Sequence, residues 1–156
     1  MTGLVIWLTW IDDCLIAGDE KGVKTAKEQI NSWFDCNDVG ILNEYMGFKI
    51  KHGKASIRFT QPALLQSFVD KFKCKASKVM VPVEAGGVLI KKRNQEKALS
   101  KGEQMHYRSG VGKLLHMMHW SRPEIYNAVR DLSRYMMTGT TQEHVKAMQW
   151  VMNYCL

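Results

Sequence analysis

The sequence predicts an α+β fold in which a strand-rich first part, residues 1–60, precedes a helical second part, residues 61–156. Two observations predict this order, and a third shows that a core can form. The first part has two hairpin patterns on either side of a helical pattern. The second part has apolar residues at helical spacing, interrupted by a loop-rich connector at about 74–104. With 156 residues, 46% of them hydrophobic, the chain is long enough to bury a core.

The first hairpin is predicted around two adjacent carboxylates, Asp12 and Asp13. An apolar run, residues 4–11, leads into the pair and a second apolar run, residues 14–17, leads out of it. This pattern is typical of a strand, a tight turn and a second strand. We expect cations or hydrogen-bond donors to pair with these two carboxylates, because burying them unpaired between two apolar strands costs several kcal/mol.

A helix and a second hairpin complete the first part. Apolar residues at helical spacing predict a helix over residues 19–34, with Asp19 as its N-cap. Residues 45–51 have the composition of a strand, residues 52–54 that of a turn, and residues 55–60 that of a returning strand.

Four helices are predicted in the second part. The first begins at Pro62 and its apolar stripe ends at Phe72. The connector at 74–104 contains Pro, a Gly-Gly pair and a basic cluster, and we expect it on the surface. Two helices follow over residues 105–119 and 124–136, and a capping box at residues 140–143 opens the last helix.

The charge and the cysteines restrict the class of protein only broadly. The chain has 22 Lys and Arg against 15 Asp and Glu, a net charge of +7, which suits a polyanion such as nucleic acid without establishing one. Four scattered cysteines, with no Cys-x-x-Cys pair, favour a reducing intracellular setting. The first apolar run is too short to span a bilayer and lacks the features of a signal peptide, so no membrane partner is expected.

The Asp12–Asp13 pair has two interpretations at this point. Asp favours turns, so the pair could be turn chemistry alone. Alternatively, an acidic turn presents carboxylates at a sheet edge, and hard oxygen ligands of this kind suit Mg²⁺, which binds through one or two carboxylates plus substrate phosphates.

Several segments together resemble a known family. Trp10-Ile11-Asp12-Asp13 resembles the aromatic-x-Asp-Asp motif of reverse transcriptases, and the residues after it resemble the form found in Ty1/copia-type retrotransposon polymerases. Asp38-Val39-Gly40 and Tyr45-Met46-Gly47-Phe48 resemble the Asp-Leu-Gly and Phe-Leu-Gly segments of that family. Thr60-Gln61 and the helix after it match a further family segment in placement.

The resemblance continues through the second part. Tyr107-Arg108-Ser109-Gly110-Val111-Gly112 resembles Tyr-Arg-Ser-x-Val-Gly, residues 121–125 resemble Thr-Arg-Pro-Asp-Ile, and residues 132–136 resemble Leu-Ser-Arg-Tyr-Met. The segments occur in the family's order and cover nearly the whole chain. The resemblance therefore implies a partial polymerase palm, made of the two β-hairpins and a helix, followed by a helical thumb-like region.

The family's activity is template-directed DNA synthesis by two-metal nucleotidyl transfer. The resemblance implies that Asp12 and Asp13 are the catalytic, metal-ligating residues for Mg²⁺ or Mn²⁺, and that Met46, Gly47 and Phe48 position the primer end. The implied partners are an RNA or DNA template-primer and deoxynucleotides. The cations expected to contact nucleic acid are Lys49, Arg108, Lys113 and Arg122, although Arg122, which lies within a family-like segment, could equally be structural.

The resemblance also implies a fragment. A further palm Asp and the nucleotide-binding fingers of the family would precede Met1, and Trp10 stands where the family usually has Tyr. We therefore expect the isolated chain to be inactive, and its unpaired palm edge to favour self-association. In an active element the location would be a cytoplasmic virus-like particle or the nucleus.

Two alternatives remain open from the sequence. One is a non-catalytic nucleic-acid-binding remnant of a degenerate element. The other is a Mg²⁺-dependent phosphohydrolase that adds Asp38 or Glu44 to the Asp12–Asp13 pair.

Overall fold

The computed structural model describes residues 3–45, 47–76, 78, 80–83, 99–137 and 139–156. Contacts divide the chain into two compact units, one up to Leu42 and one from Asn43 to Leu156. The predicted α+β class is confirmed, whereas the predicted palm–thumb boundary at residue 60 stays a prediction. Within the predicted connector, residues 84–98 lie outside the described residues.

The first unit contains a hairpin and one helix. Strands β1 (Ile6–Trp10) and β2 (Asp13–Ala17) pair antiparallel, with Trp10 opposite Asp13. Helix α1 (Glu20–Trp33) confirms the predicted helix, and its N-cap Asp19 accepts a hydrogen bond of 2.6 Å from the Gly22 N–H. The buried apolar side chains described in this unit, Ala26 and Ile30, both lie on α1.

The second unit begins with a three-stranded antiparallel sheet in the order β3-β4-β5. Its strands are β3 (Glu44–Tyr45), β4 (Phe48–His52) and β5 (Ile57–Thr60). The predicted strand over residues 45–51 is therefore divided in two. The reason is the turn at Gly47, whose φ of 82° lies in the left-handed region that favours glycine.

Helices form the rest of the second unit: α2 (Pro62–Phe72), α3 (Lys101–Trp120), a 3₁₀ turn (Pro123–Ile125), α4 (Tyr126–Ser133) and α5 (Gln142–Cys155). Helix α3 begins four residues before its predicted start. Ser100 and Glu103 explain the difference, because they form a capping box in which the Ser100 N–H donates to Glu103 over 2.8 Å. No helix of the described residues is both long and apolar enough to cross a membrane.

The cap of α5 also differs from the prediction of a capping box at residues 140–143. Thr141 is the N-cap, and its backbone N–H donates to His144 Nδ1 over 3.1 Å. The hydroxyl of Thr140 instead donates to the Tyr135 carbonyl. The capping box is therefore shifted by one residue, and an imidazole takes the place of the carboxylate.

The core of the second unit lies between α2, α3, α4 and α5. Tyr107 is fully buried in it, and its hydroxyl donates to the Leu132 carbonyl over 2.7 Å. Burial raises the pKa of Tyr107 above its ordinary value. Gly110 also faces this core, where Phe72 and Met148 approach its backbone closely.

Candidate functional site

The tip of the β1–β2 hairpin carries the two predicted catalytic carboxylates. Ile11 and Asp12 form the turn, and Asp13 is already the first residue of β2. The turn therefore lies one residue earlier than predicted. Both carboxylates are exposed and solvated by water. They therefore do not require the cations or hydrogen-bond donors that were expected on the assumption of burial.

The turn at Ile11 is conformationally strained. This β-branched residue adopts a φ of 51°, a left-handed conformation that costs a residue of its type about 1–3 kcal/mol. Its side chain is 87% exposed, so burial does not offset the cost. This conformation closes a tight connection, with Trp10 and Asp13 paired on either side of it.

The chemistry of the turn suits a hard divalent cation only in part. Asp12 and Asp13 supply carboxylate oxygens, which are the ligands that Mg²⁺ takes from proteins when substrate phosphates and water complete its coordination. Within the described residues, however, no group of three or more His, Cys, Asp or Glu side chains could hold a metal ion. The donor set therefore fits a cation that shares its coordination with a ligand.

The two further acidic residues considered for a phosphohydrolase are engaged elsewhere. Asp38 pairs with Lys27 at 2.9 Å, and the hydrogen bonds from Lys27 and from the Gly40 N–H lower the pKa of Asp38. Glu44 pairs with Lys49 at 3.5 Å. These ion pairs give the phosphohydrolase interpretation no support.

The predicted primer-positioning residues lie at the turn between β3 and β4. Met46 lies outside the described residues. Gly47 is exposed, and nothing lies within 4 Å of the position that a Cβ would occupy there. Phe48 is buried and packs against α3, with its ring centroid 5.8 Å from that of Trp120 and 6.2 Å from that of His116. Phe48 thus anchors the strand, and the backbone at Gly47 remains accessible.

An open apolar groove adjoins this anchor. It has a volume of about 240 Å³ and is lined by Tyr45, Phe48, Ile50, Phe59 and Trp120. Phe59 lies directly opposite Ile50 in the β4–β5 ladder, so the two side chains share one face of the sheet. The aromatic side chains of the groove come from both the sheet and the end of α3.

The predicted nucleic-acid-binding cations are spread over the second unit. Lys49 is exposed and pairs with Glu44, a surface pair that contributes little. Arg108 is exposed, and its Nε donates to the Met136 carbonyl over 2.6 Å. Lys113 is half-buried five residues farther along α3, which places it about 140° around the helix from Arg108. The structure does not bring these two α3 cations onto one face.

Arg122 is held by several partners at the end of α5. It forms an ion pair with Glu124, and its Nη1 donates to the Cys155 carbonyl over 3.3 Å. Its guanidinium also lies 5.1 Å from the ring centroid of Tyr154. A cation beside the last carbonyls of a helix is favourable, so these contacts give Arg122 a structural role, and its contact with nucleic acid stays a prediction.

Hydrogen bonds join the family-like segments of the second unit in pairs. Tyr107 and Arg108 donate to the carbonyls of Leu132 and Met136, which connects two of these segments over 2.7 and 2.6 Å. The Ser121 hydroxyl donates to the side chain of Gln61, which is itself buried. Side chains that the sequence analysis treated as motif positions therefore fix the packing of α2, α3 and α4.

One basic feature of the surface was not predicted from the sequence. Lysines recur at nearly every second residue from the end of α2 onward, at positions 71, 73, 75 and 78, and all four are exposed. The alternation with Phe72 and Cys74 was the signal that could have identified it, because those two residues are buried.

Comparison with curated proteins finds a relative that matches almost the whole chain. The chain is 30% identical over 156 aligned positions to the "Retrovirus-related Pol polyprotein from transposon TNT 1-94" of Nicotiana tabacum. The match covers 96% of this chain and 12% of the relative, so the chain spans only a small part of that polyprotein. No family model matches the sequence, and no solved structure matches it significantly. The chain is thus similar, over almost its whole length, to a segment of a transposon Pol polyprotein, which supports a retroelement origin.

Proposed function

We propose that this chain is the C-terminal palm and thumb portion of a retrotransposon reverse transcriptase, whose intact form carries out template-directed DNA synthesis. The observation that carries the proposal is the exposed Asp12–Asp13 turn at the tip of a two-stranded hairpin. Similarity to a transposon Pol polyprotein over 96% of the chain supports it.

In this proposal Asp12 and Asp13 hold Mg²⁺ or Mn²⁺ together with the phosphates of a deoxynucleotide. The bound metal supplies charge stabilisation for the attacking 3′-hydroxyl and the leaving pyrophosphate. The exposure of both carboxylates leaves room for the substrate oxygens that complete the coordination. The tight turn at Ile11 places Asp12 and Asp13 at the tip of the hairpin.

The second unit holds the primer and template in this proposal. Phe48 anchors β4 against α3, which leaves the backbone at Gly47 free to contact a primer end. The exposed cations, Lys49 and Arg108 among them, contact phosphates of the template-primer. In an active element this activity would take place in a cytoplasmic virus-like particle or in the nucleus.

A primer-extension assay tests the catalytic role. The chain is joined to the preceding polymerase segment of the tobacco relative and supplied with template-primer, deoxynucleotides and Mg²⁺ or Mn²⁺. We expect extension that Asp12→Asn lowers by about 100-fold or more, because the lost charge acts where charge develops in the transition state. The matched control Asp35→Asn changes the charge equally at another exposed carboxylate and should leave extension unchanged.

Two results would contradict the proposal. If Asp12→Asn in the joined protein were as active as the parent, the hairpin turn would have no catalytic role. If the isolated chain extended a primer by itself, in an Asp12-dependent way, it would be a complete polymerase and the assignment to a partial one would be wrong.

A non-catalytic nucleic-acid-binding remnant is the second candidate, and the net charge of +7 favours it. Such a remnant binds template-primer with a steep salt dependence, since phosphate contacts release counterions. It would be indifferent to Asp12→Asn in every assay, including extension by the joined protein.

A further inference from the structure

A row of lysines follows the end of α2 on the surface of the second unit. We name it the lysine ridge; its members are Lys71, Lys73, Lys75 and Lys78, all of them exposed. None of the four forms an ion pair with another described residue. The ammonium of Lys73 donates to the Asp70 carbonyl over 2.9 Å, which places one ridge charge at the C-terminal end of α2.

Buried neighbours and α5 hold the backbone of the ridge in place. Phe72 and Cys74, which alternate with the lysines, are 2% and 3% exposed. The Gln149 side chain donates to the Phe72 carbonyl over 3.0 Å, and the Lys75 N–H donates to the Asn153 side chain over 3.0 Å. The backbone at residues 72–75, which carries Lys73 and Lys75, is therefore held against α5.

Helix α5 adds a further cation beside the ridge. Lys146 is exposed and lies three and seven residues before Gln149 and Asn153, so it shares a helix face with the two side chains that hold the ridge. Lys71, Lys73 and Lys75 lie within five residues of one another along the chain, so their like charges repel, and a polyanion that contacts them relieves that repulsion. The arrangement favours an extended anionic partner.

The chemistry of the exposed side chains identifies the part of the partner that is contacted. Between residues 71 and 76 the exposed side chains are lysines and one alanine, because the aromatic Phe72 is buried. Lysines bind phosphates as point charges, whereas reading or stacking a base calls for amide, guanidinium or aromatic groups. The ridge therefore suits a sugar–phosphate backbone, since residues 71–76 expose no base-reading group.

We propose that the lysine ridge, together with Lys146, binds the phosphate backbone of a nucleic-acid strand without regard to its sequence. The choice of nucleic acid over other polyanions rests on the proposed function. The binding itself needs neither a metal ion nor the Asp12–Asp13 turn, so it can be measured separately from catalysis.

A salt titration of binding tests the proposal on the full chain in EDTA. The probe is a fluorescently labelled RNA–DNA hybrid, and anisotropy gives the affinity between 50 mM and 200 mM salt. The ridge variant combines Lys71→Gln, Lys75→Gln and Lys78→Gln and leaves the Lys73 cap intact. The control variant combines Lys21→Gln, Lys24→Gln and Lys101→Gln, three exposed lysines that form no ion pair among the described residues. Each variant lowers the net charge from +7 to +4 (7 − 3).

The ridge variant should bind more weakly than the control and respond less to salt. Losing three phosphate contacts lowers the slope of log affinity against log salt by about 2.7. Between 50 mM and 200 mM salt, the affinity of the ridge variant should therefore fall by a factor about 40 times smaller than the affinity of the parent chain. The control variant should keep the slope of the parent chain. Circular dichroism, expected to be unchanged in both triple variants, separates lost contacts from lost folding.

Other outcomes would overturn the proposal. Equal slopes for the ridge and control variants would show that only net charge matters. If the parent chain did not bind the hybrid, the ridge would not be a nucleic-acid surface. The same conclusion would follow if the ridge variant lost binding to phosphatidylserine vesicles but kept its binding to the hybrid. A failure of primer extension alone would leave these curves unaffected, so the two proposals fail separately.

Discussion

Two glycines of α3, two residues apart, should respond in opposite directions to the same substitution. Gly110 faces the core of the second unit, and Gly112 faces solvent. A Cβ at position 110 would lie 2.3 Å from Met148 Sδ and 2.8 Å from Phe72 Cε1. At position 112, apart from its chain neighbours and the backbone of α3, no atom of the described residues lies within 4 Å of the added carbon.

The expected free energies follow from these distances. Alanine stabilises a helix interior by about 1 kcal/mol relative to glycine, so Gly112→Ala should raise the free energy of unfolding by about that amount. Gly110→Ala has the same gain in propensity, but forcing a methyl group into a packed core costs about 1–3 kcal/mol. The Met148 side chain is flexible, but Met148 and Phe72 are almost fully buried and have little room to move. We therefore expect Gly110→Ala to lower the free energy of unfolding by up to about 2 kcal/mol.

Urea denaturation followed by far-ultraviolet circular dichroism measures the difference, because most of the helical signal comes from the second unit. The midpoint of Gly112→Ala should lie above that of the parent chain, and the midpoint of Gly110→Ala at or below it. If Gly110→Ala were as stable as Gly112→Ala, the packing of α3 against Phe72 and Met148 described above would be wrong.

Three further predictions concern single groups. Tyr107→Phe should destabilise the chain by about 1 kcal/mol in the same urea assay, since it removes a buried hydrogen bond to the Leu132 carbonyl, which keeps the Tyr135 N–H as a donor. Lys27 and Gly40 lower the pKa of Asp38, so its contribution is present above the ordinary value of 3.8 and is lost as the pH falls. The stability difference between the parent chain and Asp38→Asn should therefore shrink on acidification, and a constant difference would contradict this. Cys14 and Cys36 are exposed, whereas Cys74 and Cys155 are buried. A thiol reagent at pH 8 should therefore modify the exposed pair quickly and the buried pair only after unfolding, because burial raises the pKa of Cys74 and Cys155 to about 11.

The parts of the fold that depend on local pattern could be predicted from the sequence. The hairpin at Asp12 followed from two apolar runs around a short polar break, and α1 followed from its periodicity and the Asp19 cap. The start of α2 followed from Pro62 at its first turn. In each case neighbouring residues in the sequence determine the conformation.

The parts that depend on distant contacts could not be predicted. Thr141 caps α5, whereas the Thr140 hydroxyl donates to the Tyr135 carbonyl. The sequence pattern does not reveal which of the two threonines is the cap. Arg122 was predicted to contact nucleic acid from its motif, but its partners at the end of α5 become neighbours only in the folded chain. The lysine ridge depends in the same way on contacts from α5.

The catalytic roles of the candidate site were predicted from resemblance and remain to be tested by the extension assay. Geometry adds the position of the turn and the exposure of Asp12 and Asp13. It also shows that Phe48 is an anchor of the sheet, which its place in a motif did not indicate.

The small number of buried side chains in the first unit has a consequence for how a ligand would act there. With Ala26 and Ile30 as its described buried apolar residues, the hairpin and α1 should open at a low free energy, and their amide hydrogens should exchange before those of α3. A ligand that binds only the formed turn at Asp12 shifts this opening equilibrium, by about 2.7 kcal/mol at a concentration of 100 times its dissociation constant. Slower exchange of the β1–β2 amides on adding a divalent cation would therefore report binding at the turn, independently of any catalytic assay.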